Sequence, residues 1–222
     1  GLNQKAESIL TLASSEMSFI VPEILQIDEG LIRQFLDENE DLRLYEKTLD
    51  EIIRQRKHIL SEKEEMLLSE ASEAMQTASN TFGMLNNADL KFPHIKDENG
   101  NEVELTHGRY IRFMESKDRH VRKAAFDAMY DTFGSFKNTF AATLSGQVKK
   151  DNFYAKIRNY STARQAALDR NNIPETVYDQ LVSAINEKLP LLHRYTRLRK
   201  ELLEVDELHM YDLYTPLVQE VD

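Results

Sequence analysis

Residues 118–123, Asp-Arg-His-Val-Arg-Lys, open a nearly unbroken helical sequence that closes on residues 208–214, Leu-His-Met-Tyr-Asp-Leu-Tyr. Helix breakers are rare here and elsewhere, since the 222 residues include only seven glycines and five prolines. The segments between them are rich in Glu, Lys, Leu, Arg and Ala, which are good helix formers. The chain is therefore predicted to be all-α, a bundle of long helices with one small β-hairpin around residues 90–113.

The hairpin is predicted from the turn signal Asp-Glu-Asn-Gly-Asn at residues 97–101. Apolar residues Phe92 and Ile95 precede this turn, and Val103 and Leu105 follow it. A Gly- and Asn-containing turn between two such short runs is typical of paired antiparallel strands.

Several helix boundaries can be predicted from local patterns. Ser61 and Glu64 form a capping-box pattern that starts a helix, and the pair Asn86-Asn87 is expected to end it in the left-handed region. Ser116 is the expected cap of the helix that carries Val121, Ala125 and Met129.

The carboxyl-terminal half is expected to contain two long helices. The stretch from Phe136 to Leu168 lacks proline and is predicted to be one continuous helix. The next helix is predicted to start at residues 172–175, with Pro174 near its first position. Apolar periodicity continues past Pro190, which is therefore expected to kink that helix without ending it.

Composition limits the range of partners. The 28 Lys and Arg residues against 38 Asp and Glu residues give a formal net charge of -10, which repels polyanions and anionic lipid surfaces. No nucleic acid and no membrane partner is expected. The absence of cysteine fits a reducing compartment, so the expected location is cytoplasmic, and no secretory signal pattern is recognised at the start.

No local pattern of a metal site or a nucleophile is found. A zinc-binding helix usually carries two histidines four residues apart, whereas the histidines here are at least 13 residues apart. They are His58, His94, His107, His120, His193 and His209. A di-iron bundle would need two Glu-x-x-His units, and only Glu104 with His107 fits, in the predicted hairpin region. We therefore predict no catalytic, cofactor-binding or metal-binding residues in this sequence.

Two side-chain groups are ambiguous. A row of aromatic residues near helical spacing is typical of a core, although a substrate groove would expose part of it. Its members are Phe126, Tyr130, Phe133, Phe136, Phe140, Tyr154 and Tyr160. The short basic clusters Lys149-Lys150 and Arg197 with Arg199-Lys200 are interpreted as a solvated, ion-paired face, with peptide-carboxylate binding as the alternative.

The segment around His209, Tyr211 and Tyr214, next to Asp212 and Pro216, combines titratable and hydroxyl groups. Such a segment could line a site, but a histidine and a tyrosine hydroxyl more often bridge helices. Whether these three residues line a substrate channel is left open.

The order of several motifs resembles that of one family. Residues 42–65 are similar to the amino-terminal helical domain of oligoendopeptidase F, and residues 86–92, Asn-Asn-Ala-Asp-Leu-Lys-Phe, match the family's Asn-x-Ala-Asp-Leu-x-Phe segment. The resemblance continues in the family's order through residues 105–108, 118–123, 138–141, 148–151, 158–161, 173–178, 192–195 and 211–214.

This resemblance implies an all-helical zinc metalloendopeptidase related to thimet oligopeptidase, with short oligopeptides as substrates in a deep channel. In that family a His-Glu-x-x-His helix and a further Glu hold zinc, and this sequence contains no such motif. The resemblance therefore implies an amino-terminal portion that ends before the zinc motif, is inactive alone, and binds no zinc itself.

The predicted domains are residues 1–89, an amino-terminal helical domain of oligoendopeptidase F type, and residues 90–222, the hairpin and first long helices of the peptidase domain. Their roles are expected to be part of the channel wall and lid. A surface exposed by truncation is expected to be apolar, so that the chain could form a dimer through it. The alternative is a stand-alone helical scaffold or interaction module without catalysis.

Overall fold

The computed structural model describes residues 2–218, with residues 3 and 4 described by their backbone alone. The first six helices are α1 (Leu2–Glu16), α2 (Ile20–Gln26), α3 (Glu29–Glu38), α4 (Glu46–Arg54), α5 (Glu62–Met75) and α6 (Thr77–Met84). The strands β1 (His94–Lys96) and β2 (Glu102–Glu104) follow. The later helices are α7 (His107–Met114), α8 (Arg119–Ser135), α9 (Lys137–Ile157), α10 (Ala163–Asp169) and α11 (Glu175–Leu202).

The two strands pair antiparallel, with Ile95 opposite Val103. Asp97 stabilises the turn between them, because its Oδ1 accepts hydrogen bonds from the backbone N–H groups of Asn99 and Asn101. Gly100 has a φ of 81°, which a residue without Cβ adopts freely. The prediction of an all-α fold with one small hairpin is confirmed.

The chain forms two compact units. The first unit contains Gly1–Thr81 and Thr143–Pro174, and the second contains Phe82–Ala142 and Glu175–Asp222. The predicted domains, residues 1–89 and 90–222, are assigned by family type rather than by compactness, and they stay a prediction.

The core of the second unit lies where the hairpin meets α7 and α8. Its buried apolar residues are Ile95, Leu105, Met114, Ala125, Met129 and Tyr211. Phe92, Phe113, Phe126 and Phe133 pack against them and are partly buried. Tyr211 is far from the other members in sequence, so this core ties the end of the described chain to α8.

The first unit is held together by ionic and aromatic contacts. Arg158 donates two hydrogen bonds to the Glu65 carboxylate, at 2.7 and 2.6 Å, and one to the His58 carbonyl. The His58 ring stacks on Tyr160 with 3.5 Å between ring centroids, and the Tyr160 hydroxyl donates to Asp169. Burial raises the pKa of Glu65, but hydrogen bonds from Arg158 and the Leu60 N–H outweigh it and leave the pKa below its ordinary value.

The prediction of one helix from Phe136 to Leu168 is wrong, because the helix ends at Ile157. Asn159 adopts a φ of 59°, and the Tyr160 N–H donates to the Ala155 carbonyl, a typical helix-ending motif with Asn in the left-handed position. Thr162 then starts α10, since its hydroxyl oxygen accepts the Gln165 N–H.

Two cap predictions are also wrong. Asn86 and Asn87 lie in a short π-helix, Leu85–Asp89, and neither has a positive φ. The cap of α8 is Asp118 rather than Ser116, because Asp118 directly precedes the first helical residue and its Oδ1 accepts the His120 N–H at 2.8 Å.

Two other local predictions are confirmed. Ser61 and Glu64 form the capping box of α5, in which the Ser61 N–H donates to Glu64 Oε2 at 3.0 Å. Helix α11 continues through Pro190 to Leu202 as predicted, and the expected kink at Pro190 stays a prediction.

Among the described residues, one helical stretch is long and apolar enough to cross a membrane by length and composition alone, Lys5–Gln26. In the structure this stretch consists of α1 and α2 separated by a turn at residues 17–19. Signal sequences and the core helices of soluble proteins have a similar length and composition, so this stretch is weak evidence for a membrane span. The expected absence of a membrane partner stays a prediction.

The close approach of α9 to α6 gives a test of packing in the first unit. A Cβ added at Gly146 would lie 2.9 Å from the Cβ of Ala78, so Gly146→Ala forces two helices apart. Overpacking costs about 1–3 kcal/mol and exceeds the gain in helix propensity of about 1 kcal/mol. We expect urea unfolding to show a net loss of about 1 kcal/mol in the free energy of unfolding.

The matched control is Gly134→Ala in α8, where an added Cβ meets nothing within 4 Å. This variant should be as stable as the wild type or more stable, because only the helix propensity changes. Equal stability of both variants would show that α6 and α9 adjust without strain.

Candidate functional site

A buried carboxylate organises the end of the described chain in the second unit. The Asp212 side chain is 0% exposed. Its Oδ1 accepts hydrogen bonds from Arg122 Nη2 at 2.7 Å and Arg119 Nε at 3.2 Å, and its Oδ2 accepts from Arg119 Nη2 and the His209 N–H, each at 3.0 Å. Both oxygens are therefore occupied by two donors each.

The charge state of Asp212 follows from these bonds. Burial raises the pKa of Asp212, but the hydrogen bonds from Arg119, Arg122 and the His209 N–H lower it by more, so the pKa lies below its ordinary value. A carboxylate of low pKa whose lone pairs are all engaged is a poor general base. The bonds of Asp212 therefore fix the position of the chain around residue 212.

Arg122 connects this carboxylate to the turn that precedes α8. The side chain is only 3% exposed. Its Nε donates to the Tyr211 carbonyl at 3.1 Å, and its Nη1 donates to the carbonyls of Ser116 and Lys117. The planar guanidinium thus holds together two chain segments that are about 90 residues apart in sequence. The fixed directions of its N–H groups set the relative orientation of these segments.

Arg199 on α11 holds the same segment from its other side. This side chain is 4% exposed, and its Nη2 donates to the carbonyls of Asp212 and Thr215 at 2.8 and 2.6 Å. Its Nη1 donates to the Tyr195 hydroxyl, and its buried Nε has no hydrogen-bond partner. The interpretation of the cluster around Arg197 and Arg199 as a solvated face is therefore wrong for Arg199.

His209, Tyr211 and Tyr214, for which the sequence does not decide between a site lining and a bridge between helices, have different environments. Tyr211 is buried in the core, and its ring stacks on His209 with 5.0 Å between centroids and lies 5.3 Å from the Arg119 guanidinium carbon. Tyr214 is 58% exposed. The rings of His209 and Tyr211 therefore stabilise each other by stacking, whereas the Tyr214 ring is exposed to solvent.

The aromatic row is divided between core and surface. Phe126 and Phe133 pack against the core, as predicted for a buried row, whereas Tyr130 is more than half exposed. Burial raises the pKa of Tyr110 to about 12, with smaller contributions from Tyr130 and Tyr214. The second unit therefore has two exposed tyrosines, Tyr130 and Tyr214, near the partly buried Tyr110.

The described residues do not supply a metal centre. Within residues 2–218, no three His, Cys, Asp or Glu side chains are grouped in a way that could hold a metal ion. Glu104 and His107, considered above as half of a di-iron motif, lie at the end of β2 and at the start of α7, where His107 packs edge-to-face on Phe92.

Sequence comparison identifies the type of protein to which this framework belongs. Residues 23–92 match a sequence family described as Oligopeptidase F, and residues 112–221 match one described as Peptidase family M3. Both matched families are thus families of peptidases. The chain belongs to peptidase family M3, in the oligoendopeptidase F group, and the resemblance recognised from the sequence is confirmed.

Relatives of this chain are longer. It is 59% identical over 220 residues to oligopeptidase PepF of Bacillus subtilis, covering 99% of this chain and 33% of that protein. The group B oligopeptidase PepB of Streptococcus agalactiae is 48% identical, with 97% and 36% covered. The crystal structure of oligoendopeptidase-F from Enterococcus faecium superposes with a TM-score of 0.95 at 50% identity, covering 98% of this chain and 42% of that one. The chain thus spans about one third of the length of the curated relatives that it matches.

The Asp212 network predicts a large effect of a nearly isosteric change. Asp212→Asn leaves the buried Arg122 guanidinium without its carboxylate, which should lower the free energy of unfolding at pH 7 by about 3–5 kcal/mol in urea titrations. Because the folded-state pKa is lowered, the carboxylate stabilises the protein above its unfolded pKa of about 3.9 and loses this effect as pH falls through the folded pKa. The difference between wild type and variant should therefore shrink below about pH 4.

Asp127→Asn is the matched control, because Asp127 forms a surface ion pair with Lys123 one helical turn away in α8. Exposed pairs contribute little, so this variant should unfold with the wild type at each pH. A constant difference between wild type and Asp212→Asn from pH 7 to pH 3 would contradict the assigned charge state.

Proposed function

We propose that this chain is the amino-terminal, non-catalytic portion of a zinc metalloendopeptidase that hydrolyses peptide bonds in short oligopeptides. In this proposal the chain forms part of the channel wall and lid and is inactive alone. The observation that carries the proposal is the 59% identity to a protein named oligopeptidase, extending over 99% of this chain.

The metal would be held outside the residues of this sequence. The chain contains no His-Glu-x-x-His motif, and residues 2–218 offer no ligand group that fits a zinc ion. We therefore assign no zinc ligand and no chemical step to this chain. Its part in the reaction would be to shape and orient the space that receives the peptide.

Exposed side chains around the Asp212 network suit such a wall. Tyr130 and Tyr214 present aromatic rings to solvent, and rings of this kind pack well on the apolar side chains of a peptide. The Arg119 guanidinium lies over the Tyr211 ring, is partly exposed and adds a positive charge. The buried bonds of Asp212 and Arg199 would hold this surface in a fixed conformation.

The other expectations drawn from the sequence stay predictions. These are a cytoplasmic location, the absence of a nucleic-acid or membrane partner, and dimer formation through an apolar surface.

Activity should depend on the full-length protein. We expect the 222-residue chain to cleave no quenched fluorogenic oligopeptide and to hold no stoichiometric zinc. The full-length product of the same reading frame should bind about one zinc per chain and lose cleavage on addition of a chelator.

Re-addition of zinc after the chelator is the control for non-specific inhibition, and it should restore cleavage. Cleavage by the 222-residue chain would overturn the proposed inactivity. A full-length protein that binds no zinc and cleaves no peptide would favour the alternative of a helical scaffold.

Tyr214 gives a more local test of the channel-wall role. Tyr214→Ala in the full-length enzyme should raise KM for an oligopeptide about 3- to 10-fold, because a lost aromatic contact is worth about 0.5–1.5 kcal/mol. The stability of the enzyme should change little, since the ring is exposed.

Tyr45→Ala is the matched control, because Tyr45 is as exposed as Tyr214 but lies in the first unit. We expect its KM to equal that of the wild type. Equal KM values for all three proteins would remove Tyr214 from the substrate surface.

A further inference from the structure

Helix α11 carries a long apolar surface that is open to solvent. It spans Glu175–Leu202, 28 residues, which corresponds to a length of about 42 Å. Leu181, Ile185 and Leu192 follow one another at spacings of four and seven residues, so they lie on one side of the helix. They are 60%, 58% and 54% exposed.

A second apolar row lies beside the first. Leu191, Leu198 and Leu202 have spacings of seven and four residues and are also about half exposed. Ser183 and Asn186 lie on the opposite side of the helix, which is polar. About half of the circumference of α11 is therefore apolar and in contact with water.

A surface of this type indicates a helix that packs on a partner. Continuous apolar patches are rare on monomeric soluble proteins and mark interaction sites. A stripe about 180° wide is broader than the seam of a two-stranded coiled coil and suits a helix that packs against more than one other helix.

Contacts of its own unit hold the helix near its carboxyl end. Near its carboxyl end, Arg199 binds the carbonyls of Asp212 and Thr215. These bonds lie beyond the exposed row of Leu181, Ile185 and Leu192, so they position the helix without covering that row.

The comparisons favour one occupant for this surface. The Bacillus subtilis relative is about three times as long as the matched region, and the matching Enterococcus faecium structure is more than twice as long. A segment of the same polypeptide has a far higher effective concentration than a second copy of the chain.

We propose that the apolar half of α11 is the surface on which the remaining part of the peptidase polypeptide docks, through helices with complementary apolar stripes. This proposal rests on the proposed function, because it requires that the full-length protein have the length of its relatives.

The test compares the same substitutions in two contexts, the 222-residue chain and the full-length product of its reading frame. Ile185→Glu and Leu192→Glu should change the thermal midpoint of the 222-residue chain by less than about 2 °C, because both side chains are already exposed. In the full-length protein each should lower it by at least about 5 °C, because a carboxylate is then buried.

Ser183→Glu and Asn186→Glu on the polar side are the matched controls, and they should shift the midpoint by less than about 2 °C in both contexts. Amide hydrogen exchange along α11 should also be at least 100-fold slower in the full-length wild type than in the 222-residue chain, which reports coverage without any substitution.

The outcomes separate the two proposals. Equal effects of apolar-side and polar-side substitutions in the full-length protein, or equal exchange rates in both proteins, would overturn the docking surface even if zinc-dependent cleavage is present. Slow amide exchange along α11 together with destabilisation by the apolar-side substitutions alone, in a full-length protein that cleaves no peptide, would support docking and overturn the peptidase function. A 222-residue chain that dimerises, with α11 as protected as in the full-length protein, would assign the surface to a second copy instead.

Discussion

The second unit depends on the ion pair between Asp212 and Arg122, which is closed to water on both sides. Removing a carboxylate and a guanidinium from water costs several kcal/mol each, and the cost is offset only if the geometry is good and the remaining donors are satisfied. Arg122 meets this condition with three backbone carbonyls, and Asp212 meets it with Arg119 and the His209 N–H. The segment that carries Tyr211 and Tyr214 therefore has one favourable position.

Much of the fold could be predicted from the sequence because its signals are local. The capping box at Ser61, the turn at Gly100 and the continuation of α11 through Pro190 each depend on residues within a few positions of one another. The break at Asn159 is local as well, and the Asn before Ser161 and Thr162 could have indicated it. The apolar periodicity continues past this point and predicts a longer helix, whereas the left-handed conformation of Asn159 ends it.

The Asp212 network could not be predicted, because its partners are about 90 residues apart in sequence. One signal was present: Arg122 lies in line with Ala125 and Met129 at helical spacing, so a charged side chain occupies the buried side of α8. Such a position requires a partner of opposite charge. The sequence does not identify that partner, and the family resemblance was needed to relate the framework to peptide hydrolysis.

Because this ion pair is buried, dissolved salt affects it less than it affects the charges at the surface. The chain has a formal net charge of -10, so its surface carboxylates repel one another, and added ions screen this repulsion over a distance of about 10 Å. The Asp212–Arg122 pair excludes water and is screened far less. Rising ionic strength thus weakens the repulsion between surface carboxylates, while it leaves the attraction between Asp212 and Arg122 nearly unchanged.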